Sequence, residues 1–460
     1  MKRIFGFVIA TLVTFAIAAF FSKYEVDPHH DGIFLKPAVD MLHGQLLFKD
    51  TFSIYGPLTS VIQSFAMRLF GEQLFVLKML TAITYGLIGG VLFIITSYLL
   101  PFGVTALIIL LWIGSAPYYE PGITFFIWPS VYALFFQLST VLLIMYWLRN
   151  KNVLLLVVAG ICAALTFWFR QPVGILLYGA IVFFFFLYRK TYPWRSTLPF
   201  HFSFICIHLS ALGLLWFYGV LQDWYFQSIT FVSWWHWAVV GERRLPILLL
   251  EKLFPLSYSP LSIWLLLPAS ACYVLWKKTK YTPALIMLAL VAIGSWAQYY
   301  PMNDIHHVYW AATLFFPVLG AVFYHAFRRQ RKRLLMLGIL CILFIPDLYN
   351  RARMIKHKLV KTYIRIEQPA ILRNMLVQKS QYDEIQIINR QIHIFEQTNP
   401  HGLVITDGGR VLFTTFAHNT KNCSPFTSNW NWEVYNQQFN AEYHQTLTQC
   451  RQHNAVLTLK

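Results

Sequence analysis

The sequence predicts an all-α polytopic membrane protein of about 11 transmembrane helices, followed by a small C-terminal extracytoplasmic α/β domain. Three observations lead there. Of 460 residues, 57% are hydrophobic and only 12% are charged, where a soluble chain carries roughly 25%. Apolar stretches near 20 residues long recur up to about residue 345, each enough to cross about 30 Å of hydrocarbon. The basic clusters fall in short gaps between apolar runs: "RNK" at 149–151, "RKTYPWR" at 189–195, "KKTK" at 277–280 and "RRQRKR" at 328–333. That placement is the positive-inside pattern, so the net charge of +18 reports orientation and not a nucleic-acid partner.

The first apolar run, about 4–22, reads as a retained helix leading outward, because its length and flanks do not suit a cleaved signal peptide. It places a first outer loop, 23–73, on the far side of the membrane. Within that loop the stretch 57–71 is short and carries Gln63 and Arg68, which suits an interfacial helix better than a crossing. Crossings are then expected near 74–99, 103–116 and 127–148. A hairpin at 152–168 and 172–188 has "FRQP" at its outer apex, and further crossings fall near 200–220, 260–276, 282–299, 308–326 and 333–347. The N-terminus is inside and the C-terminus outside. Two domains result: a transmembrane domain over 1–349, and a soluble extracytoplasmic domain over 350–460 with a helical stretch and a strand-like "GLVITDGG".

Six cysteines are scattered, without CxxC or zinc spacing. Cys162, Cys206, Cys272 and Cys341 lie in apolar runs as packing residues. Cys423 and Cys450 are the pair available for a disulfide if the last domain faces an oxidising compartment.

The polar residues gather on one predicted face. Asp27, His29, His30, Asp31, Asp40, Lys49, Asp50, Glu120, Arg170, Arg243, Arg244, Asp304, His306 and His307 all fall in outer loops. Ionisable groups near membrane depth usually mark a site or pathway, although a loop is also where charges go by default. Three chemistries fit. One is glycosyl transfer from a lipid-phosphate donor, with a carboxylate base and cations on the phosphate. The second is a metal site from His29, His30, Asp31 and His306 or His307, although adjacent histidines diverge on regular backbone. The third is a transporter, disfavoured because the helix interiors are almost free of charge. The "WWHW" at 234–237 reads either as a membrane-interface belt or as a stacking platform for a sugar or prenyl chain.

The opening of the first loop carries a resemblance. Asp31-Gly32, Ala38, Leu42, Gly44, Asp50 and Gly56-Pro57 follow a pattern leading into a juxtamembrane helix that ends at Phe70-Gly71, and a long helix with Lys78 near its start follows. With Arg170-Gln171-Pro172 at the hairpin turn and a late His307 and Tyr309, this resembles the GT-C fold glycosyltransferases. The nearest pattern is that of bacterial relatives of protein O-mannosyltransferases and aminoarabinose lipid A transferases. The chain departs from it in having Asp31-Gly32 for an Asp-Glu pair, Glu120 for the second loop acid, and Arg170 for a lysine, which changes hydrogen-bond geometry.

The resemblance implies an inverting membrane glycosyltransferase of the inner membrane, acting on its extracytoplasmic face. The sugar moves from a polyprenyl-phosphate donor to a glycan, lipid or protein acceptor. Asp31 would be the general base, with Asp27 as its competitor. Arg170, with Arg243 or Arg244, would hold the phosphate, while His306 and His307 would position phosphate or acceptor, and Tyr309 of the same late element would also bind substrate. Asp50 would orient the first loop or meet sugar hydroxyls, and Glu120 would stand as the second acid. A divalent metal is neither required nor excluded. The alternatives are a lipid-linked glycan ligase or polymerase, and a lipid-linked sugar flippase without chemistry.

Overall fold

The computed structural model describes residues 2–117, 125–233, 263–296, 305–326, 352–406, 410–418 and 448–459, apart from isolated positions within the last segments. The first helix, α1 (Lys2–Ser22), buries Gly6, Ala10, Thr14, Ala18 and Ser22. That four-residue spacing puts one small-residue stripe along a helix. It lies against α4 (Leu74–Leu99), where Gly86, Gly89 and Gly90 leave no room for a side chain beside Thr11, Thr14 and Phe15. Small residues on both sides let two backbones approach closely where no hydrophobic effect drives them together.

Between these two helices the first loop folds into α2 (His30–Leu42) and α3 (Leu58–Phe70). Every residue of α2 from Phe34 to Asp40 is buried, with Asp31 and Gly32, so α2 is enclosed on all sides and not only on one face. Then α5 (Phe102–Gly114) leads to α6 (Pro129–Asn150), which pairs with α7 (Val153–Phe169). Asn152 starts α7 by accepting from the Leu154 amide at 3.0 Å. The hairpin closes with α8 (Gln171–Leu187), and α9 (Trp194–Phe217) packs on α7 at the rim. After a short α10 (Leu221–Tyr225) comes a π-helical turn, Phe226–Thr230. Its buried Gln227 bonds the Phe48 carbonyl and, at 3.0 Å, the Ser53 amide of the first loop. The remaining described membrane helices are α11 (Ile263–Trp276), α12 (Pro283–Ser295), α13 (Ile305–Ala312) and α14 (Phe315–Ala326).

Helices thus occupy the expected positions up to residue 326, and the chain is a mostly helical, multi-pass membrane protein. Among the described residues, four helices are long and apolar enough to span by themselves: α1, α4, α6 and α9. The expected single crossing at 308–326 is bent by 51° between α13 and α14. Pro317 explains the bend, since its ring clashes with the carbonyl four residues back and it has no N–H to offer. The freed ends are absorbed locally, with the Thr313 hydroxyl donating to the Tyr309 carbonyl at 2.9 Å and accepting from the Trp112 indole at 3.1 Å. The expected crossing at 333–347 and the "WWHW" stretch lie outside the described residues.

The C-terminal residues pack on the first loop. Strands β1 (Ile364–Arg365) and β2 (Leu376–Val377) pair antiparallel, and Leu376 also bridges to Tyr24. The helix α15 (Lys379–Thr398) buries Ile385, Ile388 and Ile392. It leads to β3 (Leu403–Thr406), which pairs in parallel with β4 (Val456–Leu459). A 3₁₀ turn, Val411–Phe416, lies on α2. Cys450 is disulfide-bonded, and Cys423, its expected partner, lies outside the described residues.

Candidate active site at the mouth of the first loop

Two acids open α2, and the structure treats them differently. The Asp27 carboxylate accepts from the backbone amides of His29 at 2.9 Å and His30 at 2.8 Å, and pairs with His30 Nδ1 at 2.9 Å. Asp31 reaches back to accept from the Asp27 amide at 3.0 Å, so the two acids satisfy the amides that a helix start leaves orphaned. Burial alone would push the Asp27 carboxyl up, but the His30 ring and the two amides outweigh it and hold it at about 2.

Asp31 is fully buried, and its Oδ2 lies 3.0 Å from Nζ of Lys78, which is also fully buried. Burial pushes the Asp31 carboxyl above the usual carboxylate range despite the opposing charge of Lys78. Its other oxygen, Oδ1, is buried with no hydrogen-bond partner. An unpartnered carboxylate oxygen inside a protein is costly, and a substrate hydroxyl there would satisfy it.

Around the acids stands a wall of rings. His30 lies 4.8 Å from Phe126 and 5.3 Å from Trp128, centroid to centroid. His306 sits 4.6 Å from Phe126, and His307 sits 5.5 Å from Trp128. The loop before α6 therefore brings the histidines of α2 and α13 to one place, though they are some 275 positions apart (306 − 30 = 276). The Trp128 indole N–H is buried without a partner as well. Two residues on, Ser130 accepts from the guanidinium of Arg170, which is buried at the break between α7 and α8. Gly56 presses on that break, where a side chain would run into the Trp168 carbonyl.

Asp27, His29, His30, Asp31, His306 and His307 are thus linked through Phe126 and Trp128, and Arg170 is tied to Ser130 two residues further on. Tyr309 is not among them, being stacked on Trp112 at 5.6 Å in the helical core. Asp50 closes a turn after α2, accepting from the Leu46 amide at 2.7 Å. Asp40 pairs with Lys36 inside the protein. Glu120, Arg243, Arg244 and Asp304 lie outside the described residues. The metal reading of His29, His30, Asp31 and His306 finds no ligand set, since no three His, Cys, Asp or Glu converge among the described residues. His30 instead spends its Nδ1 on Asp27.

Sequence reasoning underrated Lys78 and Trp128. A lysine one turn into a helix of otherwise apolar residues was the available signal for the first. No periodicity marks the second, whose position depends on the loop before α6.

No protein-family model and no curated protein matches the chain. Solved structures do. An oligosaccharyltransferase of Archaeoglobus fulgidus in the apo form matches at TM-score 0.52 and 13% identity, over 90% of this chain and 64% of that one. ArnT from Cupriavidus metallidurans matches in the apo state at TM-score 0.52 and 12% identity, over 89% of this chain and 84% of that one. The same protein bound to undecaprenyl phosphate matches at TM-score 0.51 and 14% identity, over 90% and 74%. The chain spans only 64% of the length of the oligosaccharyltransferase. Likeness over nine-tenths of the chain at such low identity speaks to architecture, and the chain has the GT-C fold of these membrane proteins.

Proposed function

We propose that the chain is a membrane glycosyltransferase that moves a sugar from a polyprenyl-phosphate donor to an extracytoplasmic acceptor, with Asp31 as general base. The observation that carries this reading is the Asp31 carboxylate, fully buried in the first turn of α2, with one oxygen on Lys78 and the other unpartnered. In the reaction Oδ1 takes the proton of the acceptor hydroxyl as its oxygen attacks the anomeric carbon. The bond from that carbon to the phosphate oxygen breaks, and the electron pair leaves with polyprenyl phosphate. A single displacement of this kind inverts the anomeric centre.

The leaving phosphate is an anion, so cations in a water-poor site stabilise charge as it develops. In this reading Lys78 shares its charge between Asp31 and that phosphate, and the Arg170 guanidinium suits a bidentate grip. His306 and His307 position the phosphate or acceptor. Asp27 is a poor base, because its carboxyl is already spent on three donors. One of the similar structures holds undecaprenyl phosphate, which supports a lipid-linked donor here.

The extracytoplasmic side is supported by the opposite ends of α4. Lys78 at the acids and Tyr98 near the basic clusters are 20 residues apart (98 − 78), about 30 Å of helix. The test is lipid-linked glycan profiling of a deletion strain complemented with wild type or Asp31→Asn. Loss of one modified glycan in both the deletion and the Asn strain is expected. A flippase would instead tolerate Asp31→Asn and move lipid-linked sugar across liposomes without transfer.

A further inference from the structure

We infer that Glu25 is a positioning residue through which the C-terminal residues hold the Lys78–Asp31 pair in place. The inference rests on Asp31 being the base. Glu25 lies in the short link between α1 and α2 with φ of 61°, a left-handed conformation that a side-chain-bearing residue adopts only when its surroundings impose it. Its carbonyl accepts from Lys78 Nζ at 3.0 Å, the same ammonium that stands 3.0 Å from Asp31 Oδ2. The backbone twist at Glu25 thus supplies the second acceptor that fixes the Lys78 head group.

Apart from Lys78, the described groups that hold Glu25 come from beyond residue 350. The Glu25 amide donates to the Leu376 carbonyl at 2.7 Å, and the Leu376 amide donates to the Lys23 carbonyl at 2.8 Å. The Glu25 carboxylate lies 3.4 Å from Lys358 Nζ and accepts from Gln378 at 3.2 Å and Tyr363 at 3.4 Å. Gln381 donates to the Val26 carbonyl at 2.6 Å. Glu25 is therefore gripped by its main chain and its side chain, both from the same partner segment. Among the described charged groups, Asp31 faces Lys78 and Asp27, Asp27 faces His30, and Glu25 faces Lys358 with Lys361 nearby.

Two substitutions loosen the grip without touching Asp31 or Lys78. Glu25→Gly keeps the left-handed backbone accessible and removes the carboxylate. Tyr363→Phe with Gln378→Ala keeps the buried Glu25–Lys358 pair and removes two neutral donors. The readout is the midpoint of Asp31 protonation in the full chain in nanodiscs, followed by infrared difference spectroscopy. Its band is the protonated-carboxyl absorption missing in Asp31→Asn.

When Lys78 is less firmly held against Asp31, the carboxylate loses cationic support and takes its proton more readily. The double variant leaves every charge in place and is expected to raise the midpoint by about half a unit, whereas Glu25→Gly also removes a buried anion, which by itself lowers the midpoint, and is expected to raise it by less. An unchanged midpoint in a double-variant protein that elutes as a monodisperse peak overturns the inference. If that variant does not fold, a lowered midpoint in Glu25→Gly, the effect of charge removal alone, does so. The base assignment is judged separately, by glycan transfer in the Asp31→Asn strain.

Discussion

Nζ of Lys78 lies 3.0 Å from Oδ2 of Asp31, and neither side chain is exposed to any extent. The pair joins the long helix α4 to the first turn of α2. Removing one member of a buried pair leaves the other uncompensated, while removing both costs much less. Lys78→Met and Asp31→Asn should each destabilise the protein, and the double variant should be no worse than the poorer single. The double-mutant cycle, measured by unfolding in detergent micelles, should give a coupling of about 1–3 kcal/mol. An additive cycle would detach this pair from stability.

Asp27 and Asp31 are four residues apart, yet only Asp31 has an oxygen without a partner. Removing a general base costs roughly 10²- to 10⁴-fold in rate. Asp31→Asn is expected to lower sugar transfer by about that factor with the protein still present in membranes. Asp27→Asn keeps one acceptor for the amides and should cost roughly tenfold or less, a structural loss. The reverse ranking would reassign the base to Asp27.

The same two acids separate along the pH axis. Asp31 is raised by its burial, so its base form is lost early on acidification. The acid limb of the transfer rate should therefore fall above the roughly 3.9 of a free aspartate. Asp27 is held at about 2, below its value in the unfolded chain. Its contribution to stability is complete above roughly 3.9 and is lost as pH falls through about 2. A rate profile with its acid inflection near 2 would point to Asp27.

Gly32 and Gly56 are required by close approach and not by backbone conformation. A side chain at Gly32 meets the Leu412 backbone, and one at Gly56 meets the Trp168 carbonyl. Gly56→Ala should destabilise by about 1–3 kcal/mol, as overpacking does, read as a lower thermal midpoint in detergent. Gly32→Ala should weaken the packing of the turn Val411–Phe416 on α2, and increased proteolysis of the C-terminal residues would report it. Wild-type behaviour of both would show that the backbones can move apart.

Much of the layout was legible because a bilayer imposes a length on any apolar run, and a positive-inside bias orders the ends. The helices around 74–99, 152–168 and 172–188 are found with bounds close to those expected. The bend between α13 and α14 was less legible. Pro317 was visible, but the Trp112–Thr313 bond that stabilises the break joins positions 201 apart. The site was legible in its residue types, since acids and histidines in a greasy chain stand out. The resemblance put Asp31 ahead of Asp27, but the different hydrogen-bonding of the two carboxylates was not legible, because it depends on which neighbours surround each. Tyr309, one turn from His306, stacks on Trp112, a placement that depends on α5 and that no local pattern reports.

By itself, the sequence determined that this chain lives in a membrane, where its apolar runs sit and which loops gather charge. These follow from composition and periodicity, which are local. Only the tertiary structure decided that Lys78 meets Asp31, that Trp128 joins His30 to His307, and that the C-terminal residues grip Glu25. Those pairings depend on how buried polar groups share a limited set of partners once distant helices have packed.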